Sequence, residues 1–412
     1  MSLEKTRLRL GIVPLIDAAP LVAAKERGFF AMQGLEVEIS REASWANIRD
    51  KVALGVLDGA HMLATMPLSA SLGLGAIREK MVAAMGLNTG GNAITLSNAL
   101  WERMAEADPA AMTRRPVTAR ALKTVIEEDR RQGRPPMTFA VVYPVSPHML
   151  ELRYWMASAG IDTERDLRLV VVPPPQMVAQ LSAGNIDGYC VGEPWNSLAV
   201  SLGLGRVAIT SRELWAGRVE KVFGVTESWA RTHPQTHKAV LKALIQAACW
   251  CDENRGELAE ILAQPAYVNA PAEVVRASLL GRFRYEFGGP EEDIPDFLLF
   301  HRHGANFPWR SQALWFLRQM ARWRQLPPGV DMGRTMEEAY RPDLYRMAAL
   351  ELGLAVPTTD SKTEGTHAGL WTLTQASAPL EMGPDLFFDG SVFDPAAASQ
   401  TSLPPGEEAA GA

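Results

Sequence analysis

RDKVALGVLDGAH at 49–61 and VAQLSAGNIDGYC at 178–190 are two copies of one segment. They align without a gap, and Gly55, Asp58 and Gly59 fall on Gly184, Asp187 and Gly188. Each copy reads as a helix ended by Gly, an Asp-Gly turn and then a buried strand. Each follows a strand-like run, LEVEIS at 35–40 and LRLVVVP at 167–173. The strand–helix–strand unit of an open α/β lobe is therefore laid down twice. Two such lobes with a cleft between them describe a bilobal ligand-binding protein.

Outward from the repeat, LRLGIV (8–13) is an apolar run suited to a buried parallel strand. A helix follows, with Asp17 as its cap, Pro20 in its first turn and Gly28 at its end. Ser44 is placed to cap a helix from Trp45 to Leu54, and Ser146-Pro147 to start one from about His148 to Ser158. AHMLATMP (60–67), KMVAAMGLN (80–88), TFAVVYP (138–144) and KVFGVT (221–226) read as further strands. The expected organisation is a first lobe over 7–97, a second lobe with the crossing segment over 98–220, and a helical return to the first lobe over 221–355. Residues 356–412, rich in Ser, Thr, Ala, Gly and Pro, are expected to form an extended, partly disordered arm.

The 412 residues suffice for two or three domains with a large core. A chain 21% charged with net charge −6 argues against direct binding of nucleic acid or of a membrane surface. Three cysteines make no disulfide framework, and Cys249 and Cys251, at i,i+2 on a helix, do not face each other as a metal pair would. The first residues show no long apolar stretch and no small-residue cleavage site, so the chain reads as cytoplasmic. No nucleotide-binding glycine loop, zinc-protease motif or nucleophile elbow occurs. The reading is a binding protein, not an enzyme, without metal or cofactor.

In open α/β sheets, ligands bind beyond the carboxyl ends of the strands, where helix N-termini offer free N–H groups to anions. Ser44-Trp45-Ala46 and Ser146-Pro147-His148 are two such ends, one per lobe. Trp45 has the face and indole N–H to close over a ligand, or else packs against the neighbouring strand. His148 donates to an anion or lies exposed at its helix start. Lys221 neutralises ligand charge or is a surface lysine, the default for that residue type. His61 reads as a satisfied core histidine, and Asp58 and Asp187 as turn residues. Glu193, ending a strand near the cleft, reads first as a structural residue and second as a hinge or pocket carboxylate.

The segments ASWANIRDKVALGVLDGAHMLATMP, GLNTGGNAITLS, SPHMLELRYWMASAGI, GYCVGEPWN and ELWAGRVEKVF resemble the nitrate- and bicarbonate-binding proteins of bacterial ABC transporters. HGANFPWRSQALWFLRQMARW and VFDPAAA are similar to the C-terminal part of that family. The resemblance implies an α/β, type II periplasmic-binding-protein fold, two lobes around a ligand cleft with a helical C-terminal part and an extended tail. It also implies an oxyanion pocket of Trp45, Ala46, Asn92, His148 and Lys221, with Ser44 and Glu193 behind them. Asn92 stands where the nitrate proteins have a longer Gln, and Ala46 where they have Gly. A lysine at 221 favours nitrate, whereas bicarbonate would call for an acceptor there. The chain resembles most the cytoplasmic NasS-type nitrate/nitrite sensors. That likeness implies a partner, a NasT-type RNA-binding antiterminator held by the protein and released when nitrate or nitrite binds. The alternatives are the binding protein of a nitrate ABC transporter without its signal, and a thiamine-precursor synthase. The synthase reading is disfavoured because CVGEPW carries a single cysteine.

Overall fold

The computed structural model describes residues 2–75 and 77–400. Ten strands build the two lobes: β1 (Arg7–Ile12), β2 (Glu36–Arg41), β3 (Gly59–Leu63), β4 (Met81–Gly90), β5 (Asn92–Ser97), β6 (Thr138–Val141), β7 (Arg168–Val171), β8 (Gly188–Gly192), β9 (Gly205–Thr210) and β10 (Val219–Thr226). The first sheet has the order β2-β1-β3-β10-β4, extended at the β4 edge by the short strand Leu298–Leu299. The second has the order β7-β6-β8-β5-β9. In each, three parallel strands are followed by an antiparallel one, β10 in the first lobe and β5 in the second, that borders the other lobe's stretch of chain. This is the type II binding-protein architecture.

The three identities of the repeat have three separate physical causes. Gly55 and Gly184 both end their helices at φ 70°, a conformation that costs glycine little. Asp58 donates its N–H to the Arg9 carbonyl (2.8 Å) and accepts the Arg9 N–H on its carboxylate (3.0 Å). Asp187 does the same with Thr138, at 2.8 Å each way. The aspartate thus ties each lobe's third strand to its first. A Cβ on Gly59 would lie 2.7 Å from Phe223, and one on Gly188 2.8 Å from Phe139, so only glycine lets the aromatic ring pack there.

The chain crosses between lobes at Gly90-Gly91 (φ 71° and 85°), earlier than the expected boundary at 97/98, because β5 already pairs with β8 and β9. It returns through residues 215–218, and β10 begins at Val219, not Lys221. The helix Pro234–Glu253 packs on Ala19–Glu26 in the first lobe. The helix Pro147–Ala157 of the second lobe is buried almost throughout, covered in part by the C-terminal helix Arg310–Arg322.

The arm departs from the expected partial disorder as far as residue 397. It carries a short hairpin, Trp371–Leu373 against Leu380–Met382. Beyond that, Phe387 stacks on Trp215 with ring centroids 4.5 Å apart, and the Tyr154 hydroxyl donates to Asp389 at 2.7 Å. Backbone bonds from Ala216 to Leu386 and from Phe388 to Leu214 fasten the arm to the crossing segment. Aromatic burial and this pairing offset the entropy that the composition suggests would win. Residues 401–412, included in the disorder expectation, lie outside the described residues.

Candidate functional site

The carboxyl ends of the parallel strands converge where the lobes meet. After β1 the chain makes a short turn, Ile16–Ala18, that carries Asp17. After β2, Ser44 caps the helix Trp45–Ala53 by accepting the Asn47 N–H at 3.3 Å. After β6, Ser146 caps the helix Pro147–Ala157 by accepting the Met149 N–H at 3.0 Å. Both caps stand as the sequence suggests. Asp17 does not cap: the next helix begins at Ala19, preceded by Ala18, and the Asp17 carboxylate turns into the protein instead.

Lys221, whose residue type is normally exposed, is fully buried. Its Nζ lies 2.6 Å from Asp17 Oδ2, 2.9 Å from Glu220 Oε1 and 5.6 Å from the centre of the Trp45 ring. Consecutive residues of a regular strand point to opposite faces. Here the register of β10 against β4 slips on both sides of Lys221, so Glu220 and Lys221 reach one point. The Val219 N–H, donated to the Gln312 side chain at 2.8 Å, holds the irregular start of the strand.

The charges continue as a chain. Arg218 lies 2.6 Å from Glu220 and also donates to Glu151, which accepts from Asn92 Nδ2 at 3.0 Å. His148 Nε2 is 3.5 Å from Glu220 Oε1. His61 Nε2 is 2.8 Å from Asp17, and its ring meets Trp45 edge-on at 5.0 Å. Asp17, Trp45, His61, Glu220 and Lys221 belong to the first lobe, while Asn92, His148 and Glu151 belong to the second. Burial opposes the Lys221 ammonium, but Asp17 and Glu220 overcome it and raise its pKa. Burial likewise opposes the Asp17 and Glu220 carboxylates, and Lys221 keeps both below the usual range. Burial wins at Glu151, whose pKa is raised despite Arg218, and at His148, pushed down to about 3. His148 is therefore neutral at pH 7.

Among the buried polar atoms of this cluster that lack a hydrogen-bond partner are Trp45 Nε1 and both ring nitrogens of His148, together with Asn92 Oδ1 and Arg218 Nε. An unsatisfied buried polar group costs about 1–3 kcal/mol, so groups left so on opposite sides of a cleft are candidates for contact with a ligand. Between the lobes, a cavity of 270 Å³ is lined from the first lobe by Pro14 and Arg41–Ala43, and from the second by Pro173, Pro175 and Gln176.

The structure brings together Trp45, Asn92, His148 and Lys221. Ala46 follows Trp45 in the first helical turn, where N–H groups have no intrahelical acceptor, and its side chain is half-buried. Ser44 serves as the cap beside it. The Asn92 amide faces Glu151 and leaves Oδ1 unpartnered, so it holds the charged chain in place. Glu193 is at the hinge. Its carboxylate accepts from the Ser197 N–H (3.2 Å) and the Ser278 hydroxyl (3.0 Å), its carbonyl accepts the Ile16 N–H, and its N–H donates to Gly91. Sequence reasoning missed Asp17, Glu151, Arg218 and Glu220 as members of the cluster. The signal for Arg218 and Glu220 was a run of charges at the start of a buried strand. For Glu151 it was the i,i+3 spacing from His148, which puts both on one helix face.

Residues 1–264 match the NMT1-like family. The chain is 42% identical over 356 residues to a nitrate import ATP-binding protein, NrtC, of Synechocystis, covering 85% of this chain and 51% of that one. It thus spans about half the length of that relative. It is 36% identical over 405 residues to the nitrate/nitrite binding protein NrtA of Synechococcus elongatus, covering 95% of this chain and 84% of the relative. Among solved structures, the periplasmic nitrate-binding protein NrtA of Synechocystis superposes with a TM-score of 0.83 at 30% identity, covering 98% of this chain and all of that one.

Proposed function

The chain belongs to the NMT1-like family, and on that premise we propose that it binds nitrate or nitrite between its lobes, as the substrate-binding component of an ABC-type import system. The observation that carries the reading is the buried, unpartnered donor set of Trp45 and His148 beside the Lys221 ammonium, split between the two lobes. Such a site suits a small oxyanion: it supplies a cation, ring donors and an aromatic wall in a desolvated setting. The relatives named for nitrate support the same ligand. As a binding protein it catalyses no reaction and uses no cofactor. Calorimetric titration with nitrate, nitrite, bicarbonate and sulfate tests it. Heat with nitrate or nitrite and none with sulfate supports it; heat with sulfate or bicarbonate alone overturns it.

A ligand touching both lobes favours the closed state by its differential affinity. That coupling serves import, where a closed binding protein is what a transporter receives. It also serves the finer reading suggested by the sequence motifs, a cytoplasmic sensor that holds a NasT-type RNA-binding antiterminator and releases it on binding. The import reading is the one the named relatives support. The sensor reading has a reciprocal signature. If nitrate weakens the antiterminator complex, the antiterminator weakens nitrate binding by the same factor, roughly 5–150-fold for a coupling of about 1–3 kcal/mol. Equal nitrate affinities with and without the antiterminator remove the sensor reading and leave the import one.

A further inference from the structure

The charged chain at the cleft holds more carboxylates than cations. Asp17, Glu220 and Glu151 stand against Lys221 and Arg218, and all five are buried. Neither cation is spare: Lys221 lies 2.6 Å from Asp17 and 2.9 Å from Glu220, and Arg218 is shared by Glu220 and Glu151. An anion arriving beside Lys221 therefore adds negative charge to a buried cluster that has no unmatched positive charge to meet it. Buried groups respond to an uncompensated charge by titrating.

The group placed to titrate is His148. It projects from its helix N-terminus into the space between the lobes, and both ring nitrogens lack a partner. Glu220 is 3.5 Å away, and the charges of Lys221 on the same strand and of Arg218 just before it also act on the ring. Asp17 faces it from the turn after β1, with His61 of β3 behind Asp17, and Glu151 lies one turn along its own helix. Without an anion, burial keeps the ring neutral, its pKa down to about 3. An anion on one side and Glu220 on the other reverse that balance.

We propose that this site takes its anion together with one proton, held by His148 as an imidazolium between the anion and Glu220. The inference rests on the oxyanion reading of the pocket and adds how the anion's charge is met. The proton comes from solvent, one N–H bond forms on the imidazole, and no electrons are transferred. Binding then adds no net charge to the interior. A dianion such as sulfate would need a second proton, and the cluster offers no second neutral imidazole in the same position, since His61 is engaged with Asp17 at 2.8 Å.

The test is calorimetric titration of the full chain with sodium nitrate in phosphate and in Tris at pH 7.5, where the dependence of heat on buffer ionisation enthalpy counts protons. One proton per nitrate is expected, with affinity falling about tenfold per pH unit on the alkaline side. In His148→Gln the uptake should vanish. Nitrate binding with no proton uptake and no pH dependence in the unmodified protein overturns the proposal while sparing the oxyanion reading. No nitrate heat at all overturns both. Uptake that persists in His148→Gln moves the proton to a carboxylate and overturns the assignment to His148. If that variant does not bind, histidine ¹⁵N spectra of the unmodified protein decide. Both His148 nitrogens shifting to the imidazolium range on nitrate addition supports the proposal, and unchanged shifts overturn it.

Discussion

Replacing Lys221 by Gln removes the ammonium of the buried cluster and leaves two buried carboxylates facing each other's field. In the intact protein Lys221 Nζ lies 2.6 Å from Asp17 and 2.9 Å from Glu220, with no exposure to solvent. Breaking a buried pair by deleting one partner costs about 3–5 kcal/mol, because the other charge stays behind unpaired. Glu220 keeps Arg218 at 2.6 Å, so the larger share falls on Asp17, whose remaining close partner is a histidine. The Asp17 pKa, now lowered chiefly by Lys221 against its burial, should rise in the variant. The stability that Asp17 contributes above its unfolded pKa should thus become a penalty, relieved as pH falls and the carboxyl protonates. The variant should be destabilised at pH 7 by about 3–5 kcal/mol in urea unfolding and by less at pH 5. Nitrate binding should weaken by about 2–5 kcal/mol, or roughly 30- to 4,000-fold, in calorimetry on the folded variant. A nitrate affinity within threefold of the unmodified protein would refute the placement of the anion beside Lys221. An unchanged urea midpoint would refute the burial argument.

Three further perturbations probe the frame around the site. Burial raises the Glu193 pKa to about 7 from 4.5, so its neutral form belongs to the folded state, and the stability this gives is full below pH 4.5 and lost as pH rises through 7. Glu193→Gln should match the parent at pH 4 and exceed it by about 3 kcal/mol at pH 8; parallel pH profiles would contradict this. Asp58→Ala should destabilise more than Asp187→Ala in thermal unfolding. Both leave a strand N–H unpaired, but Asp58 also accepts the Trp229 indole at 3.0 Å and Lys5 at 2.6 Å. Phe387→Ala, which empties the stacking place against Trp215, should cost about 3–5 kcal/mol and raise hydrogen exchange selectively in residues 356–397. Unaltered exchange in the arm would show that the contact does not hold it.

The parts of the molecule legible from its sequence were those set by local chemistry. Gly55 and Gly184 announced helix ends through their backbone freedom, and Ser44 and Ser146 announced helix starts through their hydroxyls. The aspartate of the repeat was visible as a recurring residue, but the reason for it was not. A turn accounts for an Asp-Gly pair, and only the folded sheet shows that Asp58 and Asp187 bond to Arg9 and Thr138, many residues away. Trp45, His148 and Lys221 were singled out because they lie at strand ends and helix starts in segments of family resemblance. Glu220 was hidden because strand alternation sends it away from Lys221, and the slip in register that brings it back is a tertiary feature. Asp17 was read as a cap because it precedes an apolar helix, and the turn at Ile16–Ala18 turns it instead toward Lys221. The arm misled through composition: its Ser, Thr, Gly and Pro outweigh a few aromatics in count, whereas Phe387 and Phe388 decide the energy by finding Trp215 and Tyr154.

The central claim is that a small oxyanion is held between the lobes by groups from each. A crystal structure of the protein grown with sodium nitrate tests it most directly. The account predicts planar trigonal density enclosed at the cleft, within hydrogen-bonding distance of Trp45 Nε1, a His148 ring nitrogen and Lys221 Nζ. Nitrate bound only outside this cluster, with Lys221 still closed on Asp17 and Glu220 and nothing between Trp45 and His148, would contradict it.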